Sequence, residues 1–230
     1  MTLLSTQGLS KHFAGLRAVE DVDFALPKGQ IRALIGPNGA GKTTFVGMLC
    51  GRIAPSAGTV SFDGQDISDL PAHRRIALGM AYTFQITSVI AKLAVAENVG
   101  LDARRLAKGA AAHQAVSDAL ERVGLADRAD QLAGDLSYGH QRLLEIAMGL
   151  AQSPRLLILD EPTQGLAESE IDAFKSLIRD LAAETTILLI EHNMNVVMEL
   201  AHRITVLDAG KVLAGGTPAE ITAHAQEQEA

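Results

Sequence analysis

Residues 36–44 read GPNGAGKTT. A glycine-rich turn, a lysine and a hydroxyl in that order match the pattern G-x-x-x-x-G-K-[ST], which holds the phosphates of a nucleotide. Gly39 and Gly41 let backbone N–H groups curl around phosphate oxygens where a Cβ would obstruct them. The helix that follows points its positive end at the anion. Lys42 reaches the β and γ phosphates as a point charge, and Thr43 offers its hydroxyl to Mg²⁺. The motif as a whole assigns Gly36, Pro37, Asn38, Gly39, Ala40, Gly41, Lys42, Thr43 and Thr44 to ATP binding.

Further along, LLILDE ends in Asp160 and Glu161. A buried strand that ends in two acids puts both at the edge of a parallel sheet where ligands bind. Asp160 suits the Mg²⁺-supporting role of P-loop enzymes. Glu161, one residue on, suits orienting an attacking water. His192, in LLIEHN, follows the next apolar run and belongs to the same sheet edge by pattern; Gln85, in TFQI, is by itself a polar residue after a strand. The stretch LSYGHQRLLEIAMGLAQSP at 136–154 poses a separate question. Ser137 and Gly139 precede an apolar pattern of helical period, so the chain carries a second helix start suited to an anion.

The elements that must position these residues can be read from the periodicity. TLLSTQGLS, AVEDVDFAL, GQIRALIG and GTVSFDG are short strands divided by Gly, Pro and Asp. KTTFVGMLCG is a helix of about three turns, closed by Gly51 as a C-terminal cap. Residues from about 88 to 153 form a mostly helical insert, with Ala115, Val116, Ala119, Leu120 and Val123 on one stripe and Leu143, Leu144, Ala147, Met148, Leu150 and Ala151 on another. RLLILD and TTILLI are strands buried on both faces. ESEIDAFKSLIRDLAA is an amphipathic helix with Glu168 and Glu170 at its positive start. NMNVVMELA is a helix, RITVLD a strand and AGKVLAGG a hairpin. Thr217, Pro218 and Glu220 form an N-terminal cap, and the tail from about 223 to 230 is expected to fray.

The whole is an α/β protein. Its 230 residues, 47% of them hydrophobic, make one sizeable core with room for a smaller subdomain. A net charge of -7 argues against a sequence-independent grip on nucleic acid. The single Cys50 forms no internal disulfide and fits a reducing compartment. No apolar stretch approaches the ~20 residues that span a bilayer. The expectation is a cytoplasmic protein that, if it acts at a membrane, does so from the surface.

The phosphate loop, Gln85, LSYGH, LLILDEP, GLAESE and IEHN occur in the order and rough spacing of an ABC transporter nucleotide-binding subunit, and the resemblance covers nearly the whole chain. FAGLRAVEDVDFAL, LSYGHQRLLEIA and LIEHNMNVVMELAHRITVLDAGKVLAGGTPAEI more narrowly resemble the LivG-type ATPase of branched-chain amino acid importers. The resemblance implies a P-loop ABC cassette spanning 1–230 as a single ATP-binding domain. It would consist of a RecA-like core, an N-terminal antiparallel β subdomain and an α-helical signature subdomain. It implies ATP hydrolysis with ATP and Mg²⁺ as cofactors. Phe13 matches the aromatic that stacks on adenine, although it reads equally as a core strand aromatic. Gln85 matches a residue that touches Mg²⁺ and relays nucleotide state, Glu161 the catalytic carboxylate and His192 the switch histidine. With Lys42 these form the catalytic set; Thr43, Gln85 and Asp160 form the metal set.

Ser137, Tyr138, Gly139 and His140 match the signature that acts on ATP held by a partner cassette. Here the chain departs from the usual L-S-G-G-Q, and His140 is either a pH-dependent charge or a neutral donor in place of the amide. Residues ITSVIAKLAVAENV after Gln85 are either a groove for a permease helix or plain core. The implied partners are a second ATPase subunit, sister or self, two permease subunits and, indirectly, a solute-binding protein at the inner face of the membrane. The alternatives are an exporter ATPase of the lipopolysaccharide type, or a non-transport ABC ATPase. A single cassette without sustained heptads and with acidic charge disfavours the latter.

Overall fold

In a computed structural model, the described residues are 1–83 and 88–229, with side chains described to Ala223. Along the chain they run β1 (Thr2–Phe13), β2 (Leu16–Pro27), β3 (Ile31–Ile35), α1 (Lys42–Leu49), β4 (Ala57–Phe62), β5 (Gln65–Asp66), α2 (Ala72–Ala77) and β6 (Met80–Thr83). There follow α3 (Val95–Leu106), α4 (Ala110–Arg122), two short 3₁₀ turns, α5 (Tyr138–Leu150), β7 (Leu156–Asp160), α6 (Glu168–Ala182), β8 (Thr186–Ile190), α7 (Met194–Leu200), β9 (Arg203–Asp208), β10 (Lys211–Gly216) and α8 (Pro218–Glu229). Contacts divide the chain into two compact units, one of residues 1–78 with 186–230 and one of residues 79–185.

The first unit holds an antiparallel sheet in the order β2-β1-β4-β5, and β3 paired in parallel with both β8 and β9, with β10 antiparallel on β9. Every residue of β8 is buried, as a strand covered on both faces requires. β1 and β2 alternate instead, so that Leu4, Leu9, Val22, Phe24 and Leu26 are buried. Phe24 meets Phe45 of α1 edge-to-face with centroids 5.6 Å apart, a favourable geometry for two quadrupoles. α7 packs Val197 with Ala33, Ala201 and Ile204.

α1 has a C-terminal arrangement that the periodicity does not announce. Gly51 follows it with φ 71°, the left-handed cap expected there. The last carbonyls are then met from outside. Arg75, on α2, is 1% exposed and donates to the carbonyls of Met48 and Leu49, each at 2.7 Å, and to those of Leu70 and Ser68 at 2.8 and 3.0 Å. A cation on the last carbonyls also complements the helix dipole. Burial pulls the Arg75 guanidinium below its ordinary pKa, and Cys50, Asp66 and Asp69 pull the other way.

The second unit pairs β6 and β7 in parallel. All five residues of β7 are buried, as its unbroken apolar run requires. α3, α4 and α5 pack together, and α5 lies on β6. Stretch 88–153 is helical apart from its leading segment and turns. α5 is buried nearly all round rather than along one stripe. Arg142 and Glu145 are buried within it as an ion pair of 2.8 Å, and Glu145 also accepts the backbone N–H of Ser88 at 2.7 Å.

At the far end of the chain, Glu220 Oε2 accepts the Thr217 N–H at 2.7 Å and Thr217 Oγ1 accepts that of Glu220 at 3.3 Å, the expected capping box. The stretch expected to fray is part of α8, which runs to Glu229. Its Ala, Gln and Glu are good helix formers, and the cap nucleates them.

Arg75→Ala is expected to destabilise the protein by about 3 kcal/mol, because it strips several buried carbonyls of a charged donor at once. The midpoint of urea denaturation reads this directly.

Candidate functional site

In the first unit, β3 runs into the phosphate loop and α1. Gly36 has φ 152°, and a Cβ there would lie 2.0 Å from the carbonyl oxygen of Leu207. Gly41 has φ 98°, and a Cβ there would lie 2.3 Å from that of Ala18. Both positions therefore need glycine for space as well as for conformation. Lys42 is buried, and its Nζ donates to the carbonyls of Gly36 at 2.7 Å and Pro37 at 3.0 Å. The loop is tied at its middle, where Ala40 N–H reaches Pro37 O at 3.2 Å and Ala40 O accepts from Gly210 N–H at 3.0 Å. Pro37, Asn38, Gly39 and Thr43 are exposed or half-exposed, and Thr44 is half-buried. The first-turn N–H groups of α1 have no acceptor inside the helix, and no acidic residue occupies that turn. The loop is thus shaped for an anion.

Phe13 ends β1 and is 45% exposed. That removes the reading of Phe13 as a core aromatic. Lys11 Nζ sits 5.1 Å from the ring centroid. Beyond β8, Glu191 is 3% exposed. Its Oε2 accepts the backbone N–H groups of His192 at 2.8 Å and Asn193 at 3.1 Å. This fixes the backbone that carries the exposed His192 side chain. Asn193 then caps α7 through the N–H groups of Asn195 and Val196.

In the second unit, Asp160 closes β7 and is 4% exposed. The Tyr82 hydroxyl, on the adjacent strand β6, donates to its Oδ2 at 2.7 Å. Glu161 follows with φ 49°. A non-glycine residue held in the left-handed region costs free energy and persists where the surroundings impose it, which is common at reacting centres. Ser137 caps α5, and its Oγ accepts the His140 N–H at 3.3 Å. A Cβ at Gly139 would lie 2.3 Å from Oε1 of Glu170 on α6, so that carboxylate would have to give way. The Tyr138 ring is 43% exposed and lies over Gly165, where a Cβ would come within 2.9 Å of its Cε1.

Gln85 lies outside the described residues. In the segment after it, Val95 and Val99 are core while Ile90 is 45% exposed. Among the described residues no group of three or more His, Cys, Asp or Glu side chains gathers to bind a metal.

A family model described as "ABC transporter" matches residues 19–164. The chain belongs to the ABC transporter family. This cassette is an ATP-binding ATPase subunit, and the match covers the phosphate loop, the stretch 137–140 and the acidic pair. It is 39% identical to the high-affinity branched-chain amino acid transport ATP-binding protein LivG of Escherichia coli (strain K12), over 95% of this chain and 93% of the relative. It is 33% identical to the lipopolysaccharide export system ATP-binding protein LptB of Haemophilus influenzae, over 96% and 93% respectively. Its fold matches the crystal structure of the ADP conformation of MJ1267, an ATP-binding cassette of an ABC transporter, with a TM-score of 0.89 and 27% identity over 96% of this chain and 94% of that one. The cassette fold combines an antiparallel sheet with parallel strands, as expected. ABC ATP-binding subunits dimerise and work with permease subunits, and among the described residues of this chain no helix is long and apolar enough to cross a membrane.

Sequence reading missed Tyr82 and Glu191, whose partners are set by strand adjacency and a loop turn. Glu170 carried a signal, because a Glu three residues after a helix start reaches back to it, here to the N–H of Ala167 at 2.9 Å. Tyr82→Phe removes one hydrogen bond from a buried carboxylate. It is expected to cost about 1–2 kcal/mol of stability and to lower ATP turnover with little change in ATP affinity. Thermal unfolding and steady-state kinetics check the two effects.

Proposed function

We propose that this cassette hydrolyses ATP to energise an importer of branched-chain amino acids or related small solutes. The observation that carries the mechanism is the presence of two helix starts suited to an anion in one chain, one at Gly41–Lys42 and one capped by Ser137. The first holds the nucleotide of its own chain through Lys42 and the loop amides, with Phe13 stacking on the base. The second, with Ser137, Tyr138, Gly139 and His140, acts on ATP held by a second cassette, sister or self. Closure of the pair then requires ATP at the shared boundary.

Thr43 and Asp160 supply a hydroxyl and a carboxylate, hard oxygen donors that suit Mg²⁺ when phosphate oxygens and water complete its shell; Gln85 belongs to the same set by motif. When bound, Mg²⁺ offsets charge on the phosphates. Tyr82 holds Asp160 in place, Glu161 orients the attacking water, and Lys42 stabilises charge on the transferred group. His192, on a backbone held by Glu191, contacts the γ-phosphate. We place the whole chain in one ATP-binding domain with the helical stretch 88–153 as its signature subdomain. It sits at the cytoplasmic face of the membrane, on two permease subunits served by a solute-binding protein. Identity to LivG exceeds that to LptB, 39% against 33% over similar shares of the chain. This favours import over the second reading, lipopolysaccharide export.

Glu161→Gln is expected to keep ATP binding, accumulate a closed dimer and lower turnover by a factor of about 10² or more. Equilibrium binding, size-exclusion chromatography with ATP and phosphate release measure the three effects. Hydrolysis at the wild-type rate in the assembled complex would remove Glu161 from its role.

A further inference from the structure

The His140 ring turns back onto the residue that caps its own helix. Nδ1 lies 2.9 Å from Ser137 Oγ, and the same Oγ accepts the His140 backbone N–H at 3.3 Å. Ser137 is exposed and His140 half-buried, so both can be reached by a ligand arriving at the helix start. A hydroxyl has one proton to give and two lone pairs to receive. The backbone N–H already occupies one lone pair. When Nδ1 carries no proton it is an acceptor, and the hydroxyl proton is directed into the ring. A phosphate oxygen is also an acceptor and competes with Nδ1 for that proton. When the ring is protonated, Nδ1–H donates to Oγ instead. The hydroxyl proton is then released outward, and a cation stands in the first turn of α5, beside the site of an incoming anion. A neutral ring reaches that arrangement only by carrying its one proton on Nδ1.

We propose that His140 is a positioning residue whose protonation state decides whether the Ser137 hydroxyl is free to bind a phosphate oxygen. The proposal rests on the reading that Ser137 faces the nucleotide of a second cassette. It makes ATP-driven closure of this cassette pair pH-dependent, with the competent form favoured as pH falls. The charged groups on the elements around this helix start are Asp135 just before it and Lys92, whose neighbours Ala91 and Leu93 bond the backbone of Gly134 and Ala133. To these are added Glu170 of α6 beside Gly139 and the Arg142–Glu145 pair one turn into α5. A glutamine at position 140, the residue usual in the family signature, does not titrate, so a dependence of this kind belongs to the histidine.

The test uses the full-length chain, alone and in its copurified complex, with MgATP hydrolysis followed from about pH 5.5 to 8.5, the span in which imidazoles titrate. The ratio of wild-type to His140→Gln turnover is expected to rise about fivefold from the alkaline to the acid end, the gain of a charge-assisted over a neutral hydrogen bond. The effect belongs in kcat, while binding of a fluorescent ATP analogue to the chain's own phosphate loop stays the same. His140→Asn carries an amide that does not titrate. It should flatten the profile as His140→Gln does. A ratio that is constant with pH, in a folded His140→Gln protein, overturns the proposal. Ser137→Ala separates the two layers of argument. If it lowers turnover and cancels the difference between the wild-type histidine and the His140→Gln variant, both stand. If it leaves turnover unchanged at every pH, the assignment of α5 to the nucleotide site fails first.

Discussion

A helix that is to bind an anion must keep its first turn vacant and still be held firmly, and that constraint organises the first unit. α1 spans Lys42–Leu49, too short to be stable on its own. Its far end is therefore where the holding is done. The buried guanidinium of Arg75 fastens the carbonyls of Met48 and Leu49, and Gly51 turns the chain away in the left-handed region. The helix body is clamped by Phe45 against Phe24. None of these contacts uses the N–H groups of the first turn, which are left to the phosphates.

The second unit solves a related problem with different parts. α5 also begins at an anion-suited turn, but the turn is capped by Ser137 rather than left bare. Its hydroxyl can be exchanged between an internal and an external partner. In the same unit, Asp160 is held by Tyr82 and Glu161 is forced into a left-handed backbone. Rigid support thus surrounds the acidic pair, and the adjustable contact occurs at the helix start that we propose faces a second cassette. The Arg142–Glu145 pair ties the base of α5 to the Ser88 backbone. Any displacement of that segment relative to α5 takes a donor from a buried carboxylate, which is costly.

Much of this was legible in the residues because it is local. The phosphate loop, the all-apolar β7 with its acidic end and the Thr217 cap each declare themselves within a few positions. What was not legible depends on partners far apart in sequence. Tyr82 and Asp160 meet only because β6 and β7 are adjacent. Arg75 reads as a polar residue of an unremarked short helix until its carbonyl partners on α1 are known. Phe13 could be core or platform by pattern, and only its exposure at the end of β1 rules out the first. The left-handed φ of Glu161 has no sequence signal at all, since glutamate does not ordinarily adopt it. α8 runs to Glu229 on helix propensity and a good cap, with few apolar residues to bury.

The Lys42 ammonium has a last consequence. It donates to the carbonyls of Gly36 and Pro37, so the loop brings its own acceptors to the position a phosphate is to take. On the proposed reading, a phosphate competes with these carbonyls for the ammonium protons, and affinity measures the difference between them. Two backbone carbonyls thus hold the ammonium inside the turn. In that sense the loop is a template, in which the chain's own backbone orients the lysine that serves it.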